Sequence, residues 1–142
     1  MNRKYLWIIT IFIITTISIL TYFNLSRTDI YQKIDIYTAK GFNKEINTPI
    51  LSINDKKTLK EISTILKESK KMAGILNVAS PNYILEIHSS NKSMQTVCLW
   101  IGKDYVQGTK GMYMYKDNTD TGYAISVTNT QKLKTIVFST NN

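Results

Sequence analysis

The side chains best suited to nucleophilic chemistry are scarce in this chain, which has one histidine, His88, and one cysteine, Cys98. A nucleophile and its base must lie within hydrogen-bond reach. Residues 82–101 are predicted to form a β-hairpin in which His88 pairs with Met94. In that register His88 and Cys98 are about four residues apart along the strand direction, which is roughly 13 Å at 3.3 Å per residue. The sequence therefore predicts no Cys–His catalytic pair. One histidine and one cysteine also cannot make the Cys and His cluster of a typical zinc site.

The acidic residues form no recognisable catalytic or ligand-binding motif. Glu86 and His88 fall on the same face of a predicted strand, where a partly exposed polar pair is expected. Asp117, Asn118 and Asp120 resemble the start of a calcium loop, but the glycine and the distal glutamate of an EF-hand are absent, so a turn is predicted. Without a glycine-rich phosphate loop, a serine elbow or a spaced acidic pair, we predict no enzymatic activity, no metal and no cofactor.

Aromatic residues of the carboxy-terminal half are the remaining candidates for a functional site. Tyrosine combines an apolar ring with a polar hydroxyl, which suits a surface that binds a peptide or a glycan. The alternative is that these residues form the edge of a core, since alternating tyrosines on a strand pack well against one. The candidate ligand surface consists of Trp100, Tyr105, Tyr113, Tyr115 and Tyr123.

A β-hairpin over residues 82–101 is the strongest structural pattern in the sequence. Apolar and polar residues alternate on both sides of a polar turn at 89–93, as in half-buried antiparallel strands. Pairing His88 with Met94 sets a register in which Glu86 pairs with Thr96, Ile84 with Cys98 and Asn82 with Trp100. The other face should enter the core, and it carries Tyr83, Leu85, Ile87, Val97, Leu99 and Ile101.

A helix is predicted before this hairpin, with Asn54 or Asp55 as its N-cap and Gly74 at its end. It should pack on the core face of the hairpin through an apolar stripe of Leu59, Ile62, Ile65 and Leu66. The rest of its surface is rich in lysine. This surface is either a solvated helix face or a patch for an anionic polymer or lipid; the lysines are Lys56, Lys57, Lys60, Lys67, Lys70 and Lys71.

The remaining segments complete a predicted α+β fold. Extended pieces are expected at 30–37, 49–53, 111–115 and 123–127, and a long loop at 102–110. Thr128 and Gln131 have the spacing of a capping box that starts a terminal helix. We predict a mostly antiparallel sheet of five to six strands with two helices packed on it, preceded by one N-terminal transmembrane helix.

The amino-terminal segment Tyr5–Phe23 has 19 residues without charge, proline or glycine, enough for roughly 28 Å of helix. Arg3 and Lys4 precede it, which predicts a cytoplasmic amino terminus and an extracytoplasmic domain. A cleaved signal peptide and a buried core helix are the alternatives. Aromatic residues stand where a signal peptidase prefers small ones. The predicted division is a stub and membrane anchor at 1–25 and a single domain at 26–142, in the cell membrane as a single-pass protein.

The charge of the chain bears on its partners. Lys and Arg number 18 against 10 Asp and Glu, for a net charge of +8. A basic domain outside the membrane favours an anionic cell-envelope polymer, anionic lipid head groups or another envelope protein as partner. Nucleic acid is not expected, because the lysines are scattered and the compartment is wrong.

The sequence resembles the YhfM-like domain of small extracytoplasmic proteins from Gram-positive bacteria. The resemblance covers roughly residues 30–138, and its most specific part is the run that ends the predicted helix and enters the strand at Pro81 and Tyr83. The matching segments are 70–87, 99–101, 111–114 and 121–123. It implies a lipoprotein or membrane-anchored protein but carries no known activity. This chain lacks the acceptor cysteine of a lipoprotein, since Cys98 lies far into the domain.

Three hypotheses of function follow from the sequence. The first is a membrane-anchored extracytoplasmic binding or accessory module that has no catalytic activity. The second is a cell-wall-associated enzyme, or a regulator of one, that acts through the loop at 102–110 and the tyrosine-rich strands. The third is a structural subunit whose membrane helix pairs with a larger complex through Thr15, Thr16 and Ser18.

Overall fold

The part of the domain that the structure describes contains eight strands and two complete helices. The computed structural model describes residues 12–13, 15–16, 31–73, 77–91, 93–102 and 107–139. In chain order the elements are β1 (Tyr31–Lys40), β2 (Asn43–Lys44), β3 (Leu51–Ile53), α1 (Lys56–Glu68), β4 (Lys70–Lys71), β5 (Tyr83–Ser89), β6 (Met94–Trp100), β7 (Gly111–Tyr115), β8 (Asn118–Ile125) and α2 (Val127–Phe138).

The strands form one antiparallel sheet in the order β2-β1-β5-β6-β7-β8-β4, with β3 also paired to β1. The predicted register of the β5–β6 hairpin is confirmed, because His88 pairs with Met94 and Ile84 with Cys98. The ladder ends at the pair of Tyr83 with Leu99, so the predicted pair of Asn82 with Trp100 is not part of it.

Helix α1 packs on one face of this sheet, which we call the core face. Its stripe of Leu59, Ile62, Ile65 and Leu66 is buried and belongs to the same cluster as the inward residues of β5 and β6. This confirms both the predicted core residues of the hairpin and the face on which the helix lies. The burial of apolar surface between helix and sheet is the main contribution to the stability of such a fold.

The ends of α1 are set by local hydrogen bonds. Asp55 is the N-cap, as predicted, and its side chain accepts from the amide of Thr58 at 2.9 Å. The helix ends at Glu68 rather than at Gly74, which lies outside the described residues. Ser69 leaves the helix in an extended conformation, and Lys70 then pairs with Ala124 of β8. Cross-strand pairing therefore replaces the last predicted turn of the helix.

Helix α2 also begins at a different residue from the predicted one. Ser126 is the N-cap, with its side chain accepting from the amide of Asn129 at 3.2 Å. Val127, expected at the end of a strand, is instead the first residue of the helix. Leu133 and Val137 are buried on this helix, and Ile136 packs against the core from a partly exposed position.

The opposite face of the sheet, which we call the outer face, is partly covered by the β1–β2 hairpin. The Phe42 ring lies edge-on to Trp100 of β6 at 6.1 Å between centroids. Asn43 Oδ1 accepts a hydrogen bond from Lys116 Nζ at 3.1 Å, just beyond β7. A second small cluster of Tyr37, Ile84 and Cys98 is buried on this face.

The predicted fold class is wrong in two respects. Over the described residues the sheet has eight strands, not five to six, because the short polar segments β2 and β4 pair with β1 and β8. No helix among the described residues is long and apolar enough to cross a membrane. Of the expected span Tyr5–Phe23, only positions 12, 13, 15 and 16 are described, as helical residues; the rest lies outside the described residues.

Candidate functional site

Four tyrosines from three different strands line one cleft on the core face, which we call the tyrosine cleft. Tyr31 comes from β1, Tyr113 and Tyr115 from β7, and Tyr123 from β8. The rings of Tyr113 and Tyr123 are stacked, with centroids 4.8 Å apart. Tyr115 lies edge-on to both, at 5.6 Å from Tyr113 and 6.0 Å from Tyr123. Such offset and edge-on pairs stabilise each other and hold the rings in place.

The tyrosines converge because of strand register. Tyr113 and Tyr115 are two residues apart, so their side chains leave β7 on the same face. The β7–β8 ladder then pairs Tyr113 with Tyr123. Three of the predicted ligand-surface residues are thus brought together by one strand pair, and Tyr31 is added by β1 from the other half of the sheet.

Tyr113 is the buried anchor of this group. Its hydroxyl donates a hydrogen bond to the backbone oxygen of Leu66 at 2.9 Å, at the end of α1. Burial, together with the neighbouring Tyr115, raises the pKa of the Tyr113 hydroxyl well above its ordinary value. A phenol of that kind stays protonated at physiological pH and is poorly suited to general base catalysis.

The rest of the tyrosine cleft is mostly polar and includes one cation. Leu66, Lys67 and Ser69 contribute from the end of α1, and Gln95 from β6. The cleft has a volume of about 310 Å³, which lies at the lower end for a small-molecule site. Among the described residues that line it there is no carboxylate, imidazole or thiol. The residues that line the cleft are therefore suited to hydrogen bonding and to contact between aromatic rings and a ligand.

Of the two other predicted ligand-surface residues, Trp100 does not join this cleft. Trp100 lies on the outer face, packed against the cluster of Tyr37, Ile84 and Cys98. Its indole Nε1 donates to the backbone oxygen of Ala79 at 2.8 Å. Tyr105 lies outside the described residues.

The outer face carries a charged network centred on Asp35. The carboxylate of Asp35 accepts from Lys33 Nζ at 2.8 Å and from the Ser52 hydroxyl, and His88 Nε2 lies 3.5 Å away. Burial by itself would raise the pKa of Asp35, but the hydrogen bonds from Lys33 and Ser52 outweigh it and hold the pKa below its ordinary value. Asp35 is therefore a stable anion and a weak base.

A second carboxylate, Glu86, lies directly across the strand pair from Asp35. It accepts from Lys44 Nζ at 2.8 Å and from the Tyr37 hydroxyl at 3.0 Å. Burial opposes ionisation of Glu86, yet these two donors keep its pKa below the ordinary value. Burial and the bond to Glu86 raise the pKa of Tyr37 to about 12. The network therefore neutralises two facing carboxylates with two lysines.

The outer-face network has the residue types of a serine hydrolase but not the arrangement. In a Ser–His–Asp triad the histidine lies between the serine and the aspartate. Here Ser52 donates directly to Asp35, and His88 contacts that same carboxylate. Within the described part of the chain, no cluster of three or more His, Cys, Asp or Glu could hold a metal ion. These contacts are those of a structural ion network.

Sequence reasoning missed Tyr31 and the Asp35 network. Asp35 and Lys33 lie on one face of the predicted first strand, and Glu86 and His88 lie on one face of the first strand of the predicted hairpin. Nothing local indicates that β1 pairs with β5. A search of the sequence for oppositely charged residues on predicted strands would have included this network. Because the strand pairing is unknown at that point, the search would also have given many other pairs of charged residues with equal support.

The fold and the tyrosine cleft define a small antiparallel α+β domain with helices on one face of its sheet. The model of the YhfM protein family matches residues 28–142. The chain belongs to this family. No curated protein matches at a significant level.

One solved structure is similar in fold. It is a thioesterase-like protein from Clostridium sporogenes ATCC 15579. The sequence identity is 16% and the TM-score 0.56, with 78% of this chain and 98% of that chain covered. At that identity the likeness describes the fold alone.

Proposed function

We propose that this protein is a non-catalytic binding module of the cell envelope, and that its tyrosine cleft binds a short segment of an oligosaccharide. The observation that carries the proposal is the convergence of four tyrosines from β1, β7 and β8 on one cleft. Aromatic rings held by several separate strands form a preorganised surface, and preorganisation lowers the entropic cost of binding.

A saccharide matches the chemistry of the lining. A sugar ring presents apolar C–H faces and hydroxyls that both donate and accept hydrogen bonds. The cleft offers aromatic rings for the first, and the Gln95 amide, Lys67 and the tyrosine hydroxyls for the second. Lys67 adds a positive charge that favours a saccharide with an acidic substituent.

The absence of a carboxylate, an imidazole and a thiol from the described lining supports binding rather than catalysis. Hydrolysis of a glycoside or an ester requires a positioned acid, base or nucleophile. The second candidate function is hydrolysis of a thioester, which is suggested by the description of the similar structure as thioesterase-like. Both functions can be tested on one preparation of the protein.

We place the action of the domain outside the cytoplasm. The support is the sequence alone, in which Arg3 and Lys4 precede an uncharged apolar run, as in exported proteins. Protease added to intact cells should remove the domain, while a cytoplasmic control protein stays intact. Complete protection of the domain would contradict this location.

Binding is tested by calorimetric titration of the full chain, in neutral detergent, with short oligosaccharides prepared from peptidoglycan. Removal of the Tyr115 or Tyr123 side chain, as Tyr115→Ala or Tyr123→Ala, should weaken binding by roughly tenfold or more, the loss expected for a central aromatic contact. Phe42→Ala is the matched control, because it removes one ring from the outer face. Its affinity should equal that of the wild type.

Two results would overturn the proposal. One is saturable binding of a peptide, but of no saccharide, at the tyrosine cleft. The other is turnover of an acyl thioester that is lost in Tyr115→Ala and retained in Phe42→Ala, with both variants folded by circular dichroism. The second result would establish the thioesterase alternative.

A further inference from the structure

A second cleft lies on the other side of α1, between the two helices. It has a volume of about 410 Å³ and is lined by Lys57, Lys60, Glu61, Thr64, Ile65, Glu68, Asn129 and Lys132. We call it the helix groove. Lysines from both helices face it, and α1 separates it from the tyrosine cleft, which is lined by Leu66 and Lys67 of the same helix.

The two helices that line the helix groove, together with β4, carry further exposed lysines. The exposed lysines of α1, β4 and α2 outnumber the carboxylates on the same segments, which are Asp55, Glu61 and Glu68. None of these lysines forms an ion pair with a described carboxylate. The surface, which we call the lysine face, consists of Lys56, Lys57, Lys60, Lys67, Lys70, Lys71 and Lys132.

Three carboxylates do not cancel the charge of this region, because its seven exposed lysines leave a net charge of +4. Asp55 is used as the helix N-cap, where it accepts from the Thr58 amide. Glu68 accepts a hydrogen bond from Asn129 Nδ2 at 3.0 Å, which joins the two helices. Glu61 also lines the groove. The described ion pairs of the protein lie instead on the outer face, around Asp35 and Glu86.

We infer that the lysine face binds a linear polymer that carries repeated phosphate charges, with one segment of the polymer in the helix groove. Residues Lys56 to Lys67 extend over roughly 17 Å of helix at 1.5 Å per residue. Charges distributed over that length match a chain of phosphates better than a single anion, because binding several of them releases several counterions.

The shape and composition of this face favour a polymer over a lipid surface. A helix that binds a bilayer usually inserts large apolar side chains beside its basic residues. The large hydrophobic residues exposed in the described structure are Phe12, Ile13, Phe42, Ile46, Ile50 and Met94, and none lies on α1 or α2. A concave groove also accommodates a chain more closely than it does a flat membrane.

The test is a titration of the full chain, in neutral detergent, with long-chain polyphosphate over a series of salt concentrations. Lys60 and Lys132 come from opposite walls of the helix groove. The variant with Lys60→Gln and Lys132→Gln should bind roughly fivefold more weakly or worse, the size expected from losing two exposed ion pairs. Its salt dependence should also be smaller.

The matched control removes the same number of charges elsewhere. Lys40 and Lys110 are exposed and lie outside the lysine face, so Lys40→Gln with Lys110→Gln should bind polyphosphate within about twofold of the wild type, as expected for distant exposed charges. Equal loss in both double variants would overturn the inference, because binding would then depend on net charge alone. Absence of polyphosphate binding would also overturn it.

Two further measurements separate this inference from its alternatives. Phosphatidylglycerol added to the micelles should displace polyphosphate poorly, and displacement at stoichiometric lipid would mark the face as a lipid site and contradict the inference. Tyr115→Ala should leave polyphosphate binding unchanged. Lys67 belongs to both surfaces, but Tyr115→Ala retains it, so loss of saccharide binding with polyphosphate binding retained distinguishes the two proposals.

Discussion

The hydroxyl of Tyr113 donates a hydrogen bond to the backbone oxygen of Leu66 across 2.9 Å. This bond joins the middle of β7 to the last turn of α1, where the Leu66 oxygen also accepts from the Ser69 amide at 3.4 Å. The ring that carries the hydroxyl is the buried member of the tyrosine cleft. The Tyr113 side chain therefore links the end of the helix to the floor of the candidate site.

Replacement of Tyr113 by phenylalanine should destabilise the domain. Tyr113→Phe removes this buried bond and should cost about 1–2 kcal/mol of the free energy of unfolding. Tyr123→Phe removes a hydroxyl from the stacked partner ring, which is partly exposed, and should cost less. Urea unfolding followed by circular dichroism measures both. Equal stabilities for the two variants would show that the bond to Leu66 contributes nothing.

Asp35 should make the stability of the domain sensitive to acid. Its pKa is lower in the folded protein than the ordinary value of 3.8, so its ionised form stabilises the fold at neutral pH. That contribution is lost as the pH falls below about 3.8 and through the lower folded pKa. Asp35→Asn should therefore be less stable than the wild type at neutral pH.

The difference between wild type and Asp35→Asn should shrink as the pH falls, because the wild-type carboxylate becomes protonated. Urea unfolding at neutral pH and at a pH below about 3.8 tests this. The variant should keep part of the acid sensitivity, since the pKa of Glu86 is lowered as well. A difference that is constant over this range would contradict the assignment to Asp35.

Cys98 should react slowly with thiol reagents while the protein is folded. It is a free cysteine with 1% of its surface exposed, beneath the outer-face cluster. Burial raises the pKa of its thiol, although Lys116 partly opposes this, so little thiolate is present at neutral pH. Reaction with a chromogenic disulfide should be at least roughly tenfold slower than for an unfolded control in urea.

Removal of the Phe42 ring should accelerate this reaction, because Phe42 packs against Trp100 on the same face. Met94→Ala is a suitable comparison, since Met94 is exposed at the start of the same strand. A reaction of native Cys98 as fast as that of the unfolded chain would show that the hairpin β1–β2 does not cover it.

Gly111 should tolerate no side chain. A Cβ at this position would lie 2.9 Å from the backbone oxygen of Trp100 and 3.1 Å from Thr130 Oγ1. The Thr130 hydroxyl also accepts from the Gly111 amide at 2.7 Å. Gly111→Ala should therefore cost about 2 kcal/mol or more, because backbone must move.

Gly41 provides the comparison for this substitution. It has a positive φ of 61° but open space around its Cβ position, so Gly41→Ala should cost only about 1 kcal/mol from backbone strain. Thermal unfolding of both variants shows which substitution causes the larger loss of stability. A smaller loss for Gly111→Ala than for Gly41→Ala would contradict the close contact with Trp100.

Local patterns predicted much of the fold. The β5–β6 register, the inward residues of the hairpin and the Asp55 cap follow from period-two alternation and from short-range hydrogen bonding. The same alternation places Trp100 opposite Leu99 and Ile101, and hence on the outer face. The predicted ligand surface combined Trp100 with tyrosines of the core face, although the pattern already separated them.

The strand count and the length of α1 could not be obtained in this way. Lys70 and Lys71 read as the lysine-rich continuation of a helix, yet their backbone pairs with β8. Asn43 and Lys44 carry no strand pattern and pair with the end of β1. Two residues have no stable extended structure of their own, so such short edge strands form only when tertiary folding brings a partner strand beside them.

By itself, the sequence determined the local elements whose side-chain period reports burial, together with the excess of positive charge and the scarcity of nucleophiles. Only the tertiary structure decided that Tyr31 meets Tyr113, that Asp35 faces Glu86 and that Lys60 and Lys132 line one groove. The physical reason is that side-chain periodicity assigns a residue to a face, whereas the neighbours on that face are chosen by strand order and helix docking, which join residues far apart in the chain.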